Sequence, residues 1–161
     1  MSEIARILDQ YDRALHRDAW HGDPVWKILA GVNPRRAFRR LSPATHSIWE
    51  LVMHMAFWET AVHRRLRKLP KQSVKKLNFP ALPEPTAANW NYALGTLRAS
   101  NVAFRETLAQ LDETELDKPL SSARKSVYVE VHGVIQHHLY HAGQMAVLRK
   151  ILMENTEVTR L

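Results

Sequence analysis

Apolar residues recur along this chain at intervals of three and four, the spacing of helices that bury one face. In the first stretch Ile4, Ile7, Leu8, Tyr11 and Leu15 share such a face, and Ser2 stands where an N-cap belongs. The pattern fades before Gly22-Asp23-Pro24, and His21 to Asp23 read as a turn. A short segment from Val25 to Ala30 stops at Gly31. Asn33-Pro34 then supplies a cap followed by proline at the first helical position, opening a short helix over Arg35 to Arg40. The strongest pattern runs from about Thr45 to Leu69, with Ile48, Leu51, Val52, Met55, Trp58, Val62 and Leu66 on one stripe and Pro70 closing it. Lys71 to Pro85 carries three prolines and reads as a long connecting loop, of the length that often borders a site.

Thr86 is placed to cap a third long helix reaching about Leu111, with Trp90, Leu94, Leu97, Val102, Phe104 and Leu108 as its core residues. Asp112 to Glu115 looks like a second start and Pro119 to Lys125 like a polar loop. A last helix spans about Val127 to Met153. Nothing alternates with the period-two pattern of strands. Four long helical segments with short helices between them predict an all-α, four-helix bundle, a single domain over residues 1–161.

Composition narrows the chemistry. With 45% hydrophobic and 24% charged residues the chain has the balance of a globular domain. It contains no cysteine, so disulfides, thiolate metal sites and a cysteine nucleophile are excluded. The N-terminal stretch is amphipathic and charged, and no apolar run approaches the roughly 20 residues that span a bilayer; a cytoplasmic protein is expected. The formal charge is +7 and unevenly placed. Arg64, Arg65, Arg67, Lys68, Lys71, Lys75 and Lys76 follow one another without an acidic residue, and Arg35, Arg36, Arg39 and Arg40 form a second cluster. These read either as solvated helix ends and loops or as a patch for an anionic partner. Few aromatics interleave with the first cluster, so nucleic acid ranks last among those partners.

Nine histidines change the picture more. In VHGVIQHHLYHAGQM only His137 and His141 stand four apart, one above the other on a helix face, where both rings reach one ion. His54 lies mid-helix among Met53, Met55 and Ala56; a buried imidazole there needs a partner, either a hydrogen bond or a metal. Two neighbouring helices would bring the three together. His46 and Glu50 fall on roughly the same face as His54. Glu50 is the candidate to orient His54 or to act as a general base, with a plain surface pair as the alternative. Gln144 is a second supporting candidate, and Gly143 a place for close helix approach. His138 points about 100° from His137 and is expected between helices or in solvent. His132, His63 and His16 read as surface or packing residues, and Trp20-His21 as a staple at the bundle's end. H-E-x-x-H, the nucleophile elbow, the phosphate-binding loop and the dinucleotide turn are all absent.

The segments HSIWELVMHMAFWE and IQHHLYHAGQMAVLRK resemble the DinB/YfiT-like family of metalloenzymes. The likeness covers nearly the whole chain; its specific parts are the mid-helix histidine ahead of A-x-W-E and the His-Ala-Gly-Gln that ends the last motif. It implies an up-down-down-up four-helix bundle, often a homodimer, with a metal triad that maps onto His54, His137 and His141. Better understood relatives are thiol-dependent transferases using bacillithiol, mycothiol or glutathione, or metal-dependent isomerases and hydrolases. The chain is too short for the C-terminal domain of some mycothiol-dependent relatives, which points away from that subclass.

The leading expectation is therefore an enzyme with a divalent metal, zinc or nickel first and iron or manganese next, acting on a small molecule. It would transfer a low-molecular-weight thiol or activate water for hydrolysis. The competing expectations are a non-catalytic metal-binding protein and a nucleic-acid binder using Arg64 to Lys76.

Overall fold

The computed structural model describes residues 1–120 and 125–154. Its helices are α1 (Glu3–Leu15), α2 (Val25–Leu29), α3 (Pro34–Phe38), α4 (Ile48–Leu66), α5 (Val74–Leu77), α6 (Ala87–Ala109) and α7 (Val127–Glu154), with one 3-10 turn at Glu113–Glu115. Among the described residues there is no strand, only isolated bridges between Ala19 and Gly22 and between Pro119 and Ser126.

Local chemistry sets most boundaries. The Ser2 hydroxyl accepts from the Ala5 amide, Asn33 caps α3 ahead of Pro34, and Thr86 caps α6. The long second element is shorter than its apolar pattern at both ends. It starts at Ile48 because Ser47 and Glu50 form a reciprocal capping box, and Ser42 to Thr45 fold into a separate turn. It ends at Leu66 because Lys68 takes a left-handed conformation (φ 54°). The Lys68 and Leu69 amides then close on the Arg65 and Arg64 carbonyls, so a Schellman turn, rather than Pro70, stops the helix. The expected loop over Lys71 to Pro85 contains one helical turn, α5. The expected polar loop at Pro119 to Lys125 lies in part outside the described residues.

α1, α4, α6 and α7 pack into one core, with α4 between α6 and α7 and α1 against both of those. Tyr11 meets Phe104 at 5.3 Å and Trp49 meets Trp90 at 5.2 Å, ring centre to ring centre. Leu15, Leu51, Met55, Leu97, Leu108 and Met145 fill the space between, each worth about 1.5–3 kcal/mol in burial. Two expected packing residues fall outside it. Val102 is 52% exposed, because the buried face of α6 runs through Leu97, Ser100, Asn101 and Phe104. Trp20 is fully exposed, so it staples nothing, and α1 has already ended at Leu15.

A polar knot sits inside this apolar core. The Glu59 carboxylate of α4 accepts from Tyr11 Oη (2.5 Å), Ser100 Oγ (2.5 Å) and Asn101 Nδ2 (2.8 Å). Asn101 Oδ1 in turn accepts from Trp26 Nε1 at 3.0 Å, so α1, α2, α4 and α6 meet through one side-chain network. His138 of α7 completes it, fully buried, with Nε2 3.6 Å from Glu59.

Candidate metal centre

α4 and α7 lie side by side in opposite directions. His54 meets His137 at one level, and Arg65, further along α4, pairs with Glu130, earlier in α7, at 2.5 Å. The i, i+4 pair on α7 faces the mid-helix histidine of α4. His54 and His141 are buried and His137 is half-buried. His137 Nε2 lies 3.0 Å from His54 Nε2 and 3.0 Å from His141 Nε2. Among the described residues these three are the group of histidine, cysteine or acidic residues whose donor atoms gather this way, all within 4.8 Å.

The far side of two rings is already committed. His54 Nδ1 faces the Asn78 carbonyl oxygen at 3.3 Å, and His141 Nδ1 faces Gln144 Oε1 at 2.9 Å. Both partners only accept, so both Nδ1 atoms carry the proton and both Nε2 atoms present a lone pair. His137 Nε2 holds at most one proton for two such neighbours. At least one of the 3.0 Å approaches therefore sets lone pair against lone pair, and a cation at the shared point removes the conflict. The residues present fit a divalent metal on that ground.

Electrostatics agree. Burial first, and then the neighbouring imidazoles, hold His137 down at about 3. Burial leads the lowering of His54 and His141 as well. All three are neutral near pH 7, the form that ligates.

The connecting segment supplies the support that the sequence did not name. Trp58 Nε1 donates to Asn78 Oδ1 at 2.8 Å, which fixes the residue whose carbonyl holds His54. The Phe79 ring stacks on His54 (4.2 Å, 10°) and on His46 (4.0 Å, 3°). The long loop does border the site, but a backbone carbonyl leaves no signature in sequence. Gln144, a supporting candidate from the sequence, meets His141 Nδ1.

Other expectations meet different geometry. Glu50 does not orient His54, whose Nδ1 is taken by Asn78. Its carboxylate is bound by the Arg40 guanidinium and the Ser47 amide. Burial pushes the Glu50 carboxyl up, but Arg40 and Ser47 outweigh it and hold it below the ordinary carboxylate value. His46 packs on Phe79 instead of joining the three. Among the described residues no helix approaches Gly143 closely; an added Cβ would meet nothing within 4 Å. His138 belongs to the Glu59 knot, His63 Nδ1 bonds Thr107 Oγ1 at 2.9 Å, His16 stacks on Trp26, and His132 packs against Tyr128.

A cavity of about 520 Å³ opens between α4 and α7 beside His137. Phe57, Trp58 and Val62 of α4 and Val134 of α7 form its apolar wall. Arg64, Lys71 and Lys125 stand among its lining residues, so part of the basic run faces this space. The volume lies in the range of small-molecule sites.

No curated protein and no solved structure matches the chain significantly. The family model of the DinB superfamily matches residues 18–145, a span from the end of α1 to beyond His141. Covering most of the chain and all three converging histidines, that match establishes that the protein belongs to the DinB superfamily.

Proposed function

We propose that this protein is a metal-dependent enzyme in which His54, His137 and His141 hold one divalent transition metal. The reaction is transfer of a low-molecular-weight thiol to an electrophilic small molecule, or hydrolysis in the same site. The observation that carries the reading is the convergence of three Nε2 atoms, two of them stripped of their proton by Asn78 and Gln144. An all-nitrogen donor set suits zinc or nickel best, with iron and manganese next.

When bound, the metal lowers the pKa of a thiol or water that it holds, so that a nucleophile forms near neutral pH. The chain's own residues do the rest. Asn78 and Gln144 keep the rings in the ligating tautomer. Phe79 stacks on His54 and fixes its plane. Phe57, Trp58, Val62 and Val134 give the reacting end a wall that carries no competing nucleophile. Glu50 carries no proton in this reading, because Arg40 and the Ser47 amide occupy its oxygens. A closed structural site normally has four protein ligands. With His46 on Phe79 and Glu50 on Arg40, neither is placed as a fourth, which favours an open site over a structural one.

Elemental analysis of the purified, tag-free protein beside a His54→Ala/His137→Ala/His141→Ala variant tests the reading. The wild type is expected to hold about one equivalent of transition metal and the variant none. No metal in either, even after reconstitution with zinc, nickel or manganese, would overturn it.

A further inference from the structure

The cavity beside His137 has a consistent chemical gradient. At the level of the three histidines stands His137, and within about a turn of it along α4 and α7 come the aromatic and aliphatic side chains Phe57, Trp58 and Val134. Towards the Arg65–Glu130 pair the lining turns basic. Arg65 is matched by Glu130, the one acidic residue among the described residues that line the space. That leaves Arg64, Lys71 and Lys125 without an acidic partner among the described residues. The Arg64 Nε donates to the Pro70 carbonyl at 2.8 Å, which ties the guanidinium to the segment bearing Lys71 while its terminal nitrogens make no hydrogen bond among the described residues. From His137 back to Glu130 is seven residues of α7, a rise of about 10 Å.

Two further features mark the space as kept open for a ligand. Gly133, one turn before His137, lines the cavity in mid-helix, where glycine costs about 1 kcal/mol relative to alanine. No neighbouring backbone explains it, since a Cβ there would meet nothing within 4 Å. Gln72, also in the lining, has a buried Oε1 with no hydrogen-bond donor among the described residues.

We propose that this cavity binds an organic anion, a carboxylate, sulfonate or phosphate ester on an apolar body about 10 Å long. Its charged group sits on Arg64, Lys71 and Lys125. Its apolar body lies along Trp58, Phe57 and Val134 over Gly133, a ligand N–H or O–H meets Gln72, and its other end points to His137. That last placement rests on the metal reading above; the anion site itself does not. The run from Arg64 to Lys76 is then divided: Arg64 and Lys71 serve the cavity, Arg65 is taken by Glu130, and Arg67, Lys68, Lys75 and Lys76 are exposed.

Calorimetric titration of the full chain, as purified and after chelation, compares 4-phenylbutyrate with the equally long neutral 4-phenyl-1-butanol. The acid is expected to bind about tenfold tighter or more in both preparations, since charge-assisted hydrogen bonds separate the two probes. An Arg64→Gln/Lys71→Gln/Lys125→Gln variant should lose that preference while keeping the wild-type helical signal and metal content. Gly133→Phe should lose both probes by filling the cavity, again with the helical signal retained. A preference seen in the chelated protein that carries no metal in either state would uphold the anion site while the metal reading fell. Equal binding of the two probes, no saturable binding of either at millimolar concentration, or a preference present only with metal bound would overturn it. So would acid binding that survives both variants unchanged.

Discussion

Replacing Glu59 by glutamine should make the protein progressively more stable than the wild type as pH rises from 4.5 to 7. Glu59 is 1% exposed, and burial is the largest influence on it, raising its carboxyl from 4.5 to about 7. Hydrogen bonds from Ser100, Tyr11 and Asn101, and the charge of His63, pull the other way without overcoming burial. His138 faces the same carboxylate from α7, held neutral by its own burial down to about 3. Between pH 4.5 and 7 the unfolded chain has lost the Glu59 proton and the folded chain still holds it. Stability then falls as pH rises, because the native state binds the extra proton. Whether that proton rests on Glu59 or passes to His138, the pair keeps one that a glutamine cannot, so the count is the same. A rise of about 2.5 units corresponds to about 3 kcal/mol at 1.36 kcal/mol per unit.

Glutamine fits the knot without a new conflict. Its oxygen in place of Oε2 accepts from Ser100 and Asn101 as before. Its nitrogen in place of Oε1 donates to the Tyr11 hydroxyl, whose own proton turns to the Asn101 carbonyl 3.1 Å away. The measurement is urea unfolding of both proteins at several pH values between 4.5 and 8, with chelator present. Taking the difference between them removes the opposing contributions of the other buried histidines, whose lowered pKa values act in both proteins. The stability of Glu59→Gln minus that of wild type should climb by about 3 kcal/mol and level off above pH 7. A flat difference, or one that falls with pH, would refute the assignment of a proton to the buried carboxyl.

Other outcomes follow from the same geometry. His141→Ala should abolish metal binding, read by elemental analysis, while circular dichroism shows the bundle intact. Gln144→Ala removes the acceptor that holds His141 Nδ1, and should weaken metal affinity by about 10–100-fold in competition with a chelator. Gly133→Ala adds a methyl group where nothing stands within 4 Å, and should raise stability by up to about 1 kcal/mol in thermal or urea unfolding. Chelation of the metal-loaded wild type should lower its midpoint of thermal unfolding, while the triple-alanine variant shows no change, because only a native site that binds metal gains from mass action.

What could be read in advance follows from how local each signal is. The i, i+4 pair at His137 and His141 and the caps at Ser2, Asn33 and Thr86 are settled within a few residues, and the structure has them where the spacing put them. The ends of α4 were missed because a capping box and a left-handed lysine outrank an apolar stripe that runs on past them. Glu59 lay inside the A-x-W-E motif but gave no sign of burial, because its donors come from α1 and α6 and no spacing links them. Asn78 acts on His54 through its backbone, where residue identity says nothing.

The basic run shows the same limit from the other side. Adjacent in sequence, Arg64 and Arg65 look alike, yet Glu130 matches one while the other stands at the cavity without an acidic partner among the described residues. Lys125 joins them from 60 residues away, and it does so because α7 returns alongside α4 to place His137 beside His54. The helix pairing that assembles three imidazoles also assembles the cations at the far end of the same groove. The spacing between the two follows from how α4 and α7 lie against each other, so the proposed metal and anion sites stand or shift together if the register of α4 against α7 changes. A substitution that breaks the Arg65–Glu130 pair should therefore loosen that register and weaken both sites at once, whereas one at Lys71 should weaken the anion site alone.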